Sequence, residues 1–153
     1  MDRRDLVKKL YQSRLMRTPE EVKTFEEAQA ELHAEKDPAV LKDLFAAFDD
    51  STVQFEMMWG LVHTVEAFDL EVYLTEMAKA VPRMLPHAKD WALLLNRRVL
   101  NTRKAVPIYR RIISTLPAKT RAAITKLLEE IGETSPKLKM SVQDVLKENR
   151  KQK

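Results

Sequence analysis

The sequence predicts an all-α protein: a single domain of paired antiparallel helices. Three observations carry that expectation. Its 153 residues include only two glycines, Gly60 and Gly132, where ordinary usage gives roughly ten. Tight hairpins, phosphate-binding loops and nucleophile elbows depend on glycine to reach positive φ. Hairpin-rich sheets, Rossmann and P-loop sites and GxSxG hydrolase sites are therefore excluded. The composition is rich in Leu, Ala, Lys and Glu, all good helix formers. Helix-start signals also recur at short intervals along the chain.

Those signals give the elements in order. A first helix is expected over 3–16. Thr18-Pro19-Glu20-Glu21 supplies a cap, a first-turn proline and two acids that suit the helix dipole, opening a helix over 19–35. Asp37-Pro38 repeats the device for 38–48. Asp49-Asp50-Ser51-Thr52 offers caps before a helix over 53–68, and Asp69 caps one over 70–81. Pro86 precedes a helix over 87–100, and Asn101-Thr102 one over 103–115. Pro117 and Pro136 open the last segments, 118–131 and 141–150.

Short connections make successive helices antiparallel neighbours, in pairs over about 53–81, 87–115 and 118–150. Trp59 and Trp91 stand 32 residues apart, each early in the first helix of its pair. A two-helix period of that length points to a HEAT-like α-solenoid, with an irregular helical bundle as the alternative. The length fits one domain over 1–153, with the helix of 1–17 and the helix and tail of 136–153 at its periphery. Val62, Val65, Phe68, Leu74, Leu94, Val99, Ile112, Ile113, Leu127 and Leu128 are the expected core. The tail from Lys147 to Lys153 is expected to fray.

Composition also limits function. There is no cysteine, so disulfides, thiolate metal sites and cysteine nucleophiles are absent. The N-terminus, Met1-Asp2-Arg3-Arg4-Asp5, lacks the apolar run of a signal peptide. The longest apolar stretches are short runs such as Trp91-Ala92-Leu93-Leu94-Leu95, against the ~20 residues of a membrane span. A soluble cytoplasmic protein is expected. The net charge of +4 is unevenly spread: residues 37–79 carry 9 acids and 2 bases, residues 80–153 carry 17 bases and 6 acids. An acidic segment repels phosphate and attracts basic surfaces.

The helix over 53–68 carries the most polar information. Met57, Met58, Leu61, Val62, Val65 and Phe68 form its apolar face. Glu56, Trp59, His63 and Glu66 line up beside that face as one column. On the helix over 87–100, Trp91, Leu94, Arg98 and Asn101 share a face. Glu66 and Arg98 hold equivalent repeat positions and are placed to bond between helices. The column does not have the HExxH spacing, and no third metal ligand accompanies it. No nucleophile or cofactor loop accompanies His63 either. No catalytic residues, metal or cofactor are therefore expected. Glu66, Arg98 and Asn101 are assigned to a structural polar network. The basic pairs Arg97-Arg98, Arg103-Lys104 and Arg110-Arg111 have one aromatic residue among them, Tyr109, which gives base stacking little to work with. Nucleic acid is disfavoured as a partner.

Several ordered segments carry a resemblance. They are Leu44-Phe45-Ala46-Ala47-Phe48-Asp49-Asp50, Glu56-Met57-Met58-Trp59-Gly60-Leu61-Val62-His63-Thr64-Val65-Glu66, Tyr73-Leu74, Trp91-Ala92 and Arg98-Val99-Leu100-Asn101. Over about residues 38–102 the chain resembles immunity protein 30, a helical family of bacterial polymorphic-toxin immunity proteins. The shared pattern is a Phe-Asp-Asp corner, a Glu-x-Met-x-x-Leu-x-His-x-x-Glu helix and an Arg-Ile-Leu-Asn helix end. Valine replaces the isoleucine here, and Trp59 and Gly60 occupy variable positions. The resemblance implies a non-enzymatic cytoplasmic protein that binds and neutralises a cognate toxin domain. A nuclease is the class whose basic groove the acidic segment would complement. Asp43, Asp49, Asp50, Glu56, Trp59, His63, Asp69 and Glu71 are the expected partner-binding residues. A helical-repeat scaffold that binds protein or nucleic acid is the alternative.

Overall fold

The computed structural model describes residues 2–151, which form eight α-helices and two short 3-10 turns with no strand. Helix α1 (Arg3–Gln12) stops four residues earlier than expected. Ser13 ends it by donating its hydroxyl to the Lys9 and Leu10 carbonyls. Met16 then turns the chain at φ 49°, with its side chain fully buried. Helix α2 (Pro19–Ala34) begins as the sequence indicates: Thr18 Oγ1 accepts from Glu21 N at 3.1 Å. The Glu21 carboxylate in turn accepts from Arg17 N. That reciprocal pattern satisfies donors that the helix itself leaves unpaired.

The segment expected as one helix over 38–48 divides into a 3-10 turn, Pro38–Val40, and the six-residue helix α3 (Leu41–Ala46). Helix α4 (Phe55–Glu66) starts without a side-chain cap, because Asp49 and Asp50 are engaged elsewhere. The two helices expected over 70–81 and 87–100 run on as a single kinked element, α5 (Leu70–Leu100). Pro82 and Pro86 lie inside it, and Ala88 departs from helical geometry at φ −141°, ψ 34°. Proline withdraws an N–H and crowds the preceding turn, so the sequence reads as a break. The structure makes it a kink.

The bonds lost at that kink are restored from outside the helix. The Asp50 carboxylate accepts from Asp90 N at 3.0 Å and from Trp91 N at 3.3 Å. Asp50 N donates to the His87 carbonyl at 2.9 Å. One residue of a distant corner therefore caps the second half of α5 and pins the corner against it. The remaining helices are α6 (Ala105–Ser114), α7 (Ala118–Thr134) and, after a 3-10 turn at Pro136–Leu138, α8 (Lys139–Lys151). Of the tail expected to fray, residues 152 and 153 lie outside the described residues.

Helices α1 and α2 form a hairpin. Helix α5 packs against α3, α6 and α7, and α8 packs against α6 and α7. One apolar core runs through all of them, from Leu6 and Leu10 in α1 to Val145 and Leu146 in α8. Eight of the ten expected core residues are buried. Phe68 and Leu94 are only partly buried and pack on the edge of the core. Asn96 is fully buried in α5: it donates to the Ala92 carbonyl and accepts from the Tyr109 hydroxyl at 2.5 Å. That pair satisfies both ends of the amide. No helix among the described residues is long and apolar enough to cross a membrane.

Candidate functional site

Helix α4 places Glu56, Trp59, His63 and Glu66 along one side, next to the second half of α5. Arg98 on α5 crosses to Glu66 with a two-pronged bond: Nε to Oε2 at 2.6 Å and Nη2 to Oε1 at 2.7 Å. Its guanidinium also lies 5.2 Å from the centre of the Trp59 ring. The Glu66 carboxylate raises the Arg98 pKa above its already high ordinary value. The Trp59 ring is 5.9 Å from His63 and meets Trp91 edge-on at 6.4 Å. Trp91 is buried and is also in contact with Phe48 at 5.7 Å and Phe55 at 4.7 Å. The column is thus an aromatic strip with an ion pair at one end. His63 and Glu56 are exposed, and Trp59 is partly buried.

The other expected binding residues separate into different roles. Asp49 is only 5% exposed. It accepts from Arg14 Nε at 3.1 Å and from Ser51 N at 2.8 Å. Its charge is therefore used inside the molecule. Asp50 is exposed, but its carboxylate oxygens serve the α5 kink. Asp69 caps the start of α5 through Val72 N. Glu71 pairs with Arg111, and Asp43 is partly buried on α3. Asn101 ends α5: its backbone N–H donates to the Arg97 carbonyl, and its side chain is exposed.

Beneath the Glu66–Arg98 bridge, a cleft of about 280 Å³ is lined by both residues together with Tyr73, Asn101 and Thr102. The Tyr73 hydroxyl is buried there without a hydrogen-bond partner. Burial, with a smaller contribution from the Glu66 charge, pushes the Tyr73 phenol above the ordinary tyrosine value. No three His, Cys, Asp or Glu residues among those described come together to hold a metal ion.

Three groups are not foreshadowed by the sequence pattern. Tyr11, Val53 and Phe55 are large apolar side chains that remain 46–60% exposed in an otherwise well-sealed molecule. The only sequence signal for Val53 and Phe55 is a pair of apolar residues directly after a polar turn. Tyr11 has none, because the expected helix runs past it.

The corner, α4 and the whole of α5 fall inside the match to one protein-family model, immunity protein 30, which covers residues 12–109. The chain belongs to the immunity protein 30 family. No curated protein and no solved structure matches it. The family match is wider at both ends than the segments that carry the resemblance. It includes the Arg14–Asp49 bridge and Tyr109, and leaves α7 and α8 outside. In this immunity protein 30 member, the Phe-Asp-Asp corner serves the fold, because its second aspartate caps the kinked helix.

Proposed function

We propose that this protein binds a cognate toxin domain in the cytoplasm and neutralises it without catalysis of its own. The match to immunity protein 30 over residues 12–109 carries the reading. The surface assigned to binding is the side of α4 that holds Glu56, Trp59 and His63, with Asp43, Asp69 and Glu71 as outlying acids. Supporting it are the exposed Glu56 and His63 beside the partly exposed Trp59 ring, tryptophan being enriched at interfaces. A nuclease suits the acidic segment as the class of toxin. The C-terminal half supports HEAT-like stacking: α5–α6 and α7–α8 are hairpins, with α5 against α7 and α6 against α8. The test is co-expression with the C-terminal domain of a toxin encoded by the neighbouring gene, once that gene is sequenced and such a domain is found there. Growth should be restored and the two proteins should co-purify. A toxic domain that kills equally with and without this protein would falsify the reading.

A further inference from the structure

We propose that the toxin docks on a platform formed by Tyr11, Val53, Phe55 and Trp59, and that it presents there an apolar centre edged by arginine or lysine. This rests on the immunity reading and names its contact surface and the chemistry of the partner.

The platform is rigid before anything binds. Val53 N donates to the Leu15 carbonyl at 3.0 Å. Phe55 stacks on the buried Trp91 at 4.7 Å and keeps more than half of its surface in solvent. The Arg14 guanidinium sits 3.8 Å over the Tyr11 ring while bonded to Asp49. The corner between these residues is fastened to α5 through Asp50. Held aromatic side chains lose little freedom on association, and for that reason they act as anchors. Met140, at the start of α8, is the remaining large exposed apolar side chain among the described residues.

The surrounding charges select the partner. Three cations near the platform are taken by acids, Arg14 by Asp49, Lys89 by Glu130 and Arg98 by Glu66, while Lys8, one turn before Tyr11 on α1, is exposed. Asp50, Glu56 and Asp90 are exposed, and none of them has a cationic partner among the described residues. On the side of the corner, α4 and α5 the rim is therefore negative beside the aromatic centre. Arginine and lysine are the side chains that satisfy both, with the charge toward the carboxylates and the stem or guanidinium over a ring. A polyphosphate backbone is repelled by the same rim.

The experiment measures affinity for the toxin domain found in the neighbouring gene, by calorimetry, together with growth rescue. Val53→Asp and Phe55→Ser should each weaken binding about 100-fold or more. Glu56→Lys should weaken it about 10-fold and flatten the salt dependence of the affinity. Met140→Ser should bind as the parent does. Val53 reaches into solvent, so Val53→Asp keeps the test valid if Phe55→Ser lowers the melting temperature. Parent-like affinity of Val53→Asp, or loss of binding in Met140→Ser, overturns the platform and leaves the immunity reading intact if the parent still rescues. If the parent neither binds nor rescues, both fall.

Discussion

Glu66 and Arg98 form a two-pronged ion pair, yet 25% and 40% of their side-chain surfaces remain exposed. Water screens such a pair, and its worth is nearer that of a surface bridge than a buried one. A double-mutant cycle with Glu66→Gln and Arg98→Ala should give a coupling of about 1 kcal/mol in urea denaturation. Arg98→Lys should recover little of it, because lysine cannot reproduce the fork. A coupling near zero would show that the geometry contributes shape alone. The two buried tyrosines behave differently. Burial raises both phenols above the ordinary value of about 10, the Glu66 charge adding to the effect at Tyr73. The folded state keeps these protons while the unfolded chain releases them near pH 10. Stability is therefore held below about pH 10 and falls above it, by about 1.4 kcal/mol per pH unit for each tyrosine. Tyr73→Phe should remove one proton's share of that slope. Because its hydroxyl has no partner, the substitution should leave stability at neutral pH unchanged or raise it by up to about 1 kcal/mol. Tyr109→Phe should cost about 1–2 kcal/mol, since the Asn96 carbonyl is left buried and unpaired. Denaturation curves at neutral and alkaline pH check both.

Helix α5 depends on a residue outside itself. Asp50→Ala removes both acceptors from the N–H groups of Asp90 and Trp91, which amounts to losing a helix cap from a partly buried position. The expected cost is about 1–2 kcal/mol. Hydrogen exchange should accelerate at those two amides before it does so in the first half of α5. Uniform acceleration along α5 would show instead that the kink is held by packing. The same contacts show why the corner was hard to read in the sequence. Asp49-Asp50-Ser51-Thr52 has the composition of a local cap for the next helix. Its oxygens instead bond to Arg14, Ser51 and the distant α5 backbone, and nothing in a linear pattern reports a partner 40 residues away. Thr18 and Asp69 cap as expected because their bonds are local. Two prolines four residues apart signal an interruption correctly. Whether it becomes a loop or a kink is decided by what lies alongside.

The whole molecule has one core, reaching from α1 to α8. It should unfold in a single cooperative transition with coincident changes in tryptophan fluorescence and far-UV circular dichroism. Trp59 and Trp91 report on the middle of the chain, and the dichroism on every helix. Separate midpoints would show that the C-terminal helices form an independent unit. At this scale the helical class was legible because a shortage of glycine and regular start signals are properties of the whole sequence. The Glu66–Arg98 juxtaposition was legible from the 32-residue offset between the two tryptophan-bearing helices. The exposed platform was not, because exposure of Phe55 depends on where Trp91 lies and how α1 ends.

The Asp50 clip also constrains the order in which related sequences can change. While Ala88 remains non-helical, the carboxylate at position 50 is needed, and its loss is harmful. Once a substitution elsewhere lets Ala88 return to helical geometry, the amides of Asp90 and Trp91 bond within the helix and the same loss becomes nearly neutral. Position 50 and the residues that hold Ala88 out of helical geometry should therefore covary among descendants of this sequence, with the kink lost before aspartate at 50. The harmful route, aspartate first, should be rare. Reconstructing both single variants and the double variant, and comparing their melting temperatures, would measure that epistasis directly.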